Sequence, residues 1–250
     1  MKINTHCHQC LKEDNLQSLD IIIRENGLYE FTCVENHKSL ICLTNPKFEI
    51  LFDIGIRALL DGYTRESVAS IAASLERFYE FYIRVIQTKH AISDEEIKFS
   101  WKLVSNQSER QIGAFVYTYL IENNKSVNLI ESKKMKPAPY DSVAHFRNAV
   151  IHKGTIPTKE EVIIYGEIVL SFIKDTLNEL KLSNDKLIKK LIKADTESNL
   201  KNCKEETQPC TMQITTTFIS NAPLEYGLAP TTFEEALELS KKLNVIQREF

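Results

Sequence analysis

Hydrophobic and polar positions change their period three times along this chain. Near the start they alternate: Leu28-Tyr29-Glu30-Phe31-Thr32-Cys33-Val34 and Ser39-Leu40-Ile41-Cys42-Leu43 read as short strands. Asn26-Gly27 and Asn45-Pro46 supply turn chemistry around them. From Lys47 the apolar residues step by three and four instead. Val68, Ile71, Leu75, Phe78 and Tyr82 form one stripe, Ile112, Phe115, Val116 and Tyr119 a second, and Val162, Tyr165, Val169, Ile173 and Leu177 a third. Capping-box spacings mark helix starts at Ser93 with Glu96, Ser108 with Gln111, and Thr158 with Glu161. After Lys181 the signal weakens. Residues 183–206 are polar and lysine-rich. Thr211 to Ser220 then alternates, with Met212, Ile214, Thr216 and Phe218 on one side, and Thr232 with Glu235 opens a last helix ending near Leu243.

These periods predict a mainly α protein. A small β module is expected over 1–46, an antiparallel helical bundle over 47–182, and a polar helical extension with a tail over 183–250. A module of some forty residues buries too little apolar surface to hold itself together, so a staple such as a metal is expected in it.

Composition narrows the class. Hydrophobic residues make up 43% and charged residues 26% of the 250, as in ordinary soluble proteins, and seven Gly and seven Pro leave little room for long unstructured tracts. The longest apolar runs, such as Val162-Ile163-Ile164-Tyr165, fall far short of a membrane span, and the first residues lack the apolar core of a signal peptide, so a cytoplasmic protein with no membrane partner is expected. The net charge of −3 gives no global attraction for nucleic acid; any polyanion site has to be a local patch. One such patch runs from Lys125 to Lys159, where Lys125, Lys133, Lys134, Lys136, Arg147, Lys153 and Lys159 face only Glu131 and Asp141.

Four of the six cysteines, Cys7, Cys10, Cys33 and Cys42, lie in the first 42 residues, and in a reducing compartment such clustering points to metal before disulfides. Cys7-His8-Gln9-Cys10 is a CxxC half-site, and Cys33 with His37 supplies a second half. Soft thiolates with an imidazole suit zinc, and four protein ligands leave no open position, so Cys7, Cys10, Cys33 and His37 are expected to hold a structural zinc rather than a catalytic metal. Cys42, His6 and His8 are rival ligands. Cys203 and Cys210 have no second pair nearby and read as plain residues.

The run from Pro139 to Gly154 carries the candidate chemistry. Asp141 or Ser142 is a good N-cap, Gly154 a good stop, and Val143, Phe146 and Val150 make an apolar face that leaves Arg147 and His152 for another purpose. A histidine titrating near neutrality can move the proton of a 2′-hydroxyl or of a leaving oxygen. An arginine can bind phosphate and stabilise the charge that builds in the transition state. Together they can cleave RNA without metal. On an ideal helix two residues five apart point roughly 140° apart. Arg147 and His152 therefore converge only if the helix ends before His152, or if a second subunit brings its own copies across a two-fold axis. Lys153 and Tyr140 are candidate RNA contacts, the latter by stacking on an unpaired base; Tyr140 reads equally as a packing residue. Glu76 and Glu80, one turn apart, can hold a cation or orient Arg147 from a neighbouring helix; the plainer reading is a polar helix face or salt bridges with Arg77 and Arg84.

Arg147-Asn148 followed by His152, near the end of a helix in a helical bundle, resembles the signature of the HEPN superfamily, with Asn148 matching the polar residue favoured directly after the arginine. The run from Ala69 to Phe81 resembles an early helix of such domains. The likeness covers roughly residues 50 to 180. It implies a metal-independent endoribonuclease in which Arg147, Asn148 and His152 act, working as a homodimer whose two motifs form one cleft, and belonging to prokaryotic toxin–antitoxin, abortive-infection or antiphage systems, with an antitoxin or trigger protein as partner. The alternative is a zinc-ribbon adaptor or nucleic-acid-binding protein whose HEPN-like bundle only dimerises.

Overall fold

A computed structural model gives the fold, describing residues 2–13, 18–22, 27–136, 139–201, 209–212, 217, 218 and 230–246. The protein is mainly helical with a small three-stranded sheet. Its chain divides into two compact units. The first comprises Met1–Asn45, Lys189–Thr215 and Lys242–Phe250; the second comprises Pro46–Ile188 and Thr216–Lys241. Residues 183–250, set apart in sequence as an extension, thus contribute to both.

In the first unit β1 (Lys2–His6) pairs antiparallel with β2 (Ser18–Ile22), with the short helix α1 (His8–Lys12) between them. The alternating segments form β3 (Leu28–Thr32) and β4 (Lys38–Leu43), antiparallel from Leu28↔Cys42 to Thr32↔Lys38. A third strand, β5 (Pro209–Met212), lies parallel to β4 from Leu40↔Pro209 to Leu43↔Met212. The C-terminal strand therefore starts earlier than the Thr211–Ser220 alternation indicates; residues 213–216, 219 and 220 of that run lie outside the described residues, as do Asn26 and Cys203.

The second unit is built on α2 (Lys47–Leu60), α3 (Thr64–Lys89), α4 (Asp94–Val104), α5 (Ser108–Asn123), α6 (Val143–Lys153) and the first parts of α7 (Lys159–Leu200) and α8 (Phe233–Ile246). The first and third sequence stripes form its core, and the second adds Phe115 and Tyr119, while Ile112 and Val116 are only half-buried. Val68, Ile71, Phe78, Phe115, Val162, Val169 and Ile173 are fully enclosed. Tyr79 stacks on Phe115 at 4.5 Å, and Phe115 also meets Phe172 at 6.0 Å. Helices α2 and α3 run antiparallel and very close. Ser67 Oγ donates to Gly55 O at 2.7 Å and Ser74 Oγ to Phe48 O at 2.7 Å, and a Cβ on Gly55 would lie 2.6 Å from Ile71 Cγ1. Not every neighbour is antiparallel. Glu76 meets Ser108, Tyr82 meets Asn123 and Lys89 meets Glu122, so α3 and α5 point the same way and α4 makes the return stroke between them.

The caps at Ser93, Thr158 and Thr232 form as spaced: Glu96, Glu161 and Glu235 N–H donate to the respective hydroxyls at 3.3, 3.2 and 3.2 Å, and the Glu161 and Glu235 carboxylates accept in return from Thr158 and Thr232 N–H. The box at Ser108 does not. Gln107 takes the cap position, Gln111 turns back to Ser105 O at 2.7 Å, and the Ser108 hydroxyl is drawn to a charged partner on α3. Among the described residues no helix is long and apolar enough to cross a membrane.

Candidate functional site

The N-terminal cluster is assembled by two tight turns. Cys7 caps α1 and Cys10 sits one turn into it, which puts both sulfurs on the same side of the CxxC step. Opposite, the β3–β4 connection folds back on itself: Cys33 N–H donates to His37 O at 3.1 Å and Asn36 N–H to Cys33 O at 3.0 Å. Asn36 occupies the left-handed region at φ 62, a conformation asparagine tolerates. The ligand atoms of Cys7, Cys10, Cys33 and His37 all lie within 4.8 Å of one another. Cys10 Sγ is 3.6 Å from Cys33 Sγ and 3.3 Å from His37 Nδ1, and Cys7 Sγ is 3.9 Å from His37 Nδ1. For zinc at about 2.3 Å from sulfur and about 2.0 Å from nitrogen, tetrahedral geometry requires S···S near ~3.8 Å and S···N near ~3.5 Å. The spacing fits.

All three thiols are buried, with Phe31 packed against them. Desolvation raises the Cys7 thiol, yet the Cys10 amide, the Ser39 hydroxyl and the Cys10 thiol outweigh it and bring Cys7 down to about 6. Desolvation and the neighbouring Cys33 and Cys7 push Cys10 up to about 12. Sulfurs packed this closely cannot all ionise unless a cation sits among them. The cluster could hold a metal ion, and its donor set is compatible with zinc. Cys42 is buried in β4 and lies outside the group. The side chains of His6 and His8 lie outside the described part.

The second candidate lies on α6. Ser142, rather than Asp141, is its cap: the hydroxyl accepts from His145 N–H at 3.1 Å, and Gly154 ends the helix in the left-handed region at φ 73. Val143, Phe146 and Val150 are buried, as their spacing indicates, and Ala149 joins them. The helix runs through Lys153, so it does not end before His152 as a single-chain convergence requires. His152 is exposed in the last turn of the helix. Arg147 lies about 7.5 Å back along the axis and about 140° around it.

Arg147 is held from three sides. Its Nη2 donates to Glu76 Oε1 at 2.8 Å and to Ser108 Oγ at 2.9 Å, while Nη1 donates to Asn148 Oδ1 at 3.0 Å. Ser108 Oγ donates in turn to Glu76 Oε1 at 2.6 Å. Glu76 therefore pairs with the motif arginine, whereas Glu80 takes the plain role and binds Arg77 at 2.7 Å; Arg84 binds Asp94. Tyr140 is half-buried with its ring edge-on to Phe146 at 4.9 Å, and burial together with Glu161 raises its hydroxyl. Lys153 is exposed. Of the basic patch, Lys125 is tied to Glu179, while Lys133, Lys134, Lys136 and Lys159 are exposed. Ser108 is the residue that sequence reasoning misplaced. Its spacing to Gln111 reads as a cap, and nothing local reveals the pull of Glu76 from thirty-two residues away.

No family model, no curated protein and no solved structure matches this chain.

Proposed function

We propose that the helical unit is a metal-independent endoribonuclease of HEPN type, acting as a homodimer in a prokaryotic toxin or antiphage system, with a structural zinc in the N-terminal module. The observation that carries this reading is the state of the motif: Arg147 is fixed by three acceptors while His152 stands exposed at a helix C-terminus. In this reading the Arg147 guanidinium binds and polarises the phosphate. His152 moves the proton of the 2′-hydroxyl or of the leaving oxygen. Asn148 orients Arg147, and Lys153 and Tyr140 contact the RNA chain. Because the two motif residues point apart on one continuous helix, the cleft requires a second copy of α6. Cys7, Cys10, Cys33 and His37 hold the zinc, whose chemistry there is to tie α1 to the β3–β4 hairpin and to neutralise the clustered thiolates. It takes no part in the cleavage. The module then serves to recognise an antitoxin or a trigger.

The test is the identity of the product ends. Attack by the 2′-hydroxyl leaves a 2′,3′-cyclic phosphate and a 5′-hydroxyl, and a substrate with 2′-O-methyl groups throughout should resist cleavage. Cleavage of the methylated substrate would refute the reading.

One observation favours a second reading. The Glu76–Arg147 ion pair is also what a purely structural arginine makes. On that basis the chain is a zinc-ribbon adaptor or nucleic-acid-binding protein whose bundle only dimerises, and Arg147→Ala would lower stability without touching any RNA chemistry.

A further inference from the structure

We infer that Glu76 and Ser108 are positioning residues for Arg147, a role that rests on reading Arg147 as the phosphate-binding group. Three elements converge on one end of its guanidinium: Glu76 from α3, Ser108 from α5 and Asn148 from α6 itself. Glu76 and Ser108 are also bonded to each other at 2.6 Å, so Nη2, Oε1 and Oγ form a closed triangle that keeps either acceptor from turning away alone. Glu76 and Arg147 are half-buried, with side-chain exposures of 25% and 19%, so solvent still reaches the pair. All the bonds to described residues fall on Nη1 and Nη2; none falls on Nε. Three of its five N–H donors are thus committed, leaving Nε–H and one N–H of Nη1 to meet an anion, and the triangle sets where they point.

Two effects compete when Glu76 is removed. Losing its charge strengthens the pull of Arg147 on any phosphate, but only slightly for groups in reach of water and salt. Losing its hold frees a long side chain that has to be ordered again each time RNA binds, and this effect outweighs the first. Glu76→Ala should thus weaken phosphate contact, contrary to what charge alone dictates.

The experiment measures binding, independently of cleavage. Full-length protein is titrated into a short fluorescein-labelled single-stranded RNA carrying 2′-O-methyl groups, followed by anisotropy at near-physiological salt. Arg147→Ala should weaken binding about tenfold, as expected for one charge-assisted phosphate contact. Glu76→Ala should weaken it about threefold to tenfold, and the double variant should be no weaker than Arg147→Ala, because both changes act through one guanidinium. Glu76→Gln keeps an acceptor oxygen and should stay within about twofold of the parent. If Glu76→Ala loses its helical dichroism, Ser108→Ala carries the same test with a smaller loss. Unchanged or tighter binding in Glu76→Ala, with Arg147→Ala still weakened, overturns the positioning role and leaves the ribonuclease reading standing. Additive losses in the double variant overturn it too. Equal binding by Arg147→Ala and the parent removes Arg147 from the RNA site, and the proposed function with it.

Discussion

Replacing Cys10 by serine should strip the N-terminal module of its metal. Cys10 is the hub of the cluster, with its sulfur within 3.6 Å of Cys33 Sγ and 3.3 Å of His37 Nδ1. Structural zinc in small domains binds with about 10–16 kcal/mol, so one of four ligands accounts for about 3 kcal/mol, or about two orders of magnitude in affinity. Competition with a chromophoric chelator at constant pH reads that change directly. The parent should carry one zinc per chain, and Cys10→Ser should surrender it to far less chelator. Cys42→Ser is the control: it alters a buried thiol of the same sheet outside the cluster, so zinc affinity should hold. Lowering the pH should release the metal from the parent, since protons compete for the thiolates. Chelation should loosen the module while leaving most of the helical signal, because α2 to α6 belong to the other unit. An unchanged affinity in Cys10→Ser, or an equal loss in Cys42→Ser, would refute the four-ligand assignment.

Further outcomes concern the helical unit. Gly55→Ala should destabilise it: the gain of about 1 kcal/mol in helix propensity is outweighed by forcing a Cβ to 2.6 Å from Ile71 Cγ1, a clash of the kind that costs about 1–3 kcal/mol, and the backbone Ser67 O at 3.1 Å limits relief. A higher melting temperature would contradict that packing. Ser142→Ala should cost about 1 kcal/mol by leaving the His145 N–H without its cap, measurable by urea unfolding. Asp53 accepts from Thr217 N–H at 3.0 Å, and burial raises its carboxyl from 3.8 to about 7. A carboxyl raised on folding favours the protonated state, so its contribution is present below the unfolded value and fades as pH rises through about 7. Asp53→Asn should therefore flatten the fall in melting temperature between these two pH values; an identical slope would rule Asp53 out as its source.

The fold was legible where one local signal sufficed. The stripes at Val68–Tyr82 and Val162–Leu177 name buried residues because a packed helix can hide apolar side chains only at that period. Strand β5 was misplaced because its register is set by β4, more than 160 residues earlier, and not by its own alternation. The parallel run of α3 and α5 has no local signature either, since it follows from α4 turning the chain back. At the sites, the CxxC turn and the Cys33–His37 spacing place four ligand atoms together because each half is a short loop of fixed reach. Arg147 is different. Its partners Glu76 and Ser108 come from two other helices, and only tertiary packing decides that Glu76, not Glu80, turns toward it.

Whether the chain cuts RNA through its motif is decided most directly by incubating purified protein with mixed cellular RNA in EDTA, comparing the parent with His152→Ala. The expected result is cleavage by the parent without metal and none by the variant. Equal cleavage by both would place the chemistry elsewhere, and no cleavage by the parent, alone or with its trigger, would contradict the ribonuclease assignment.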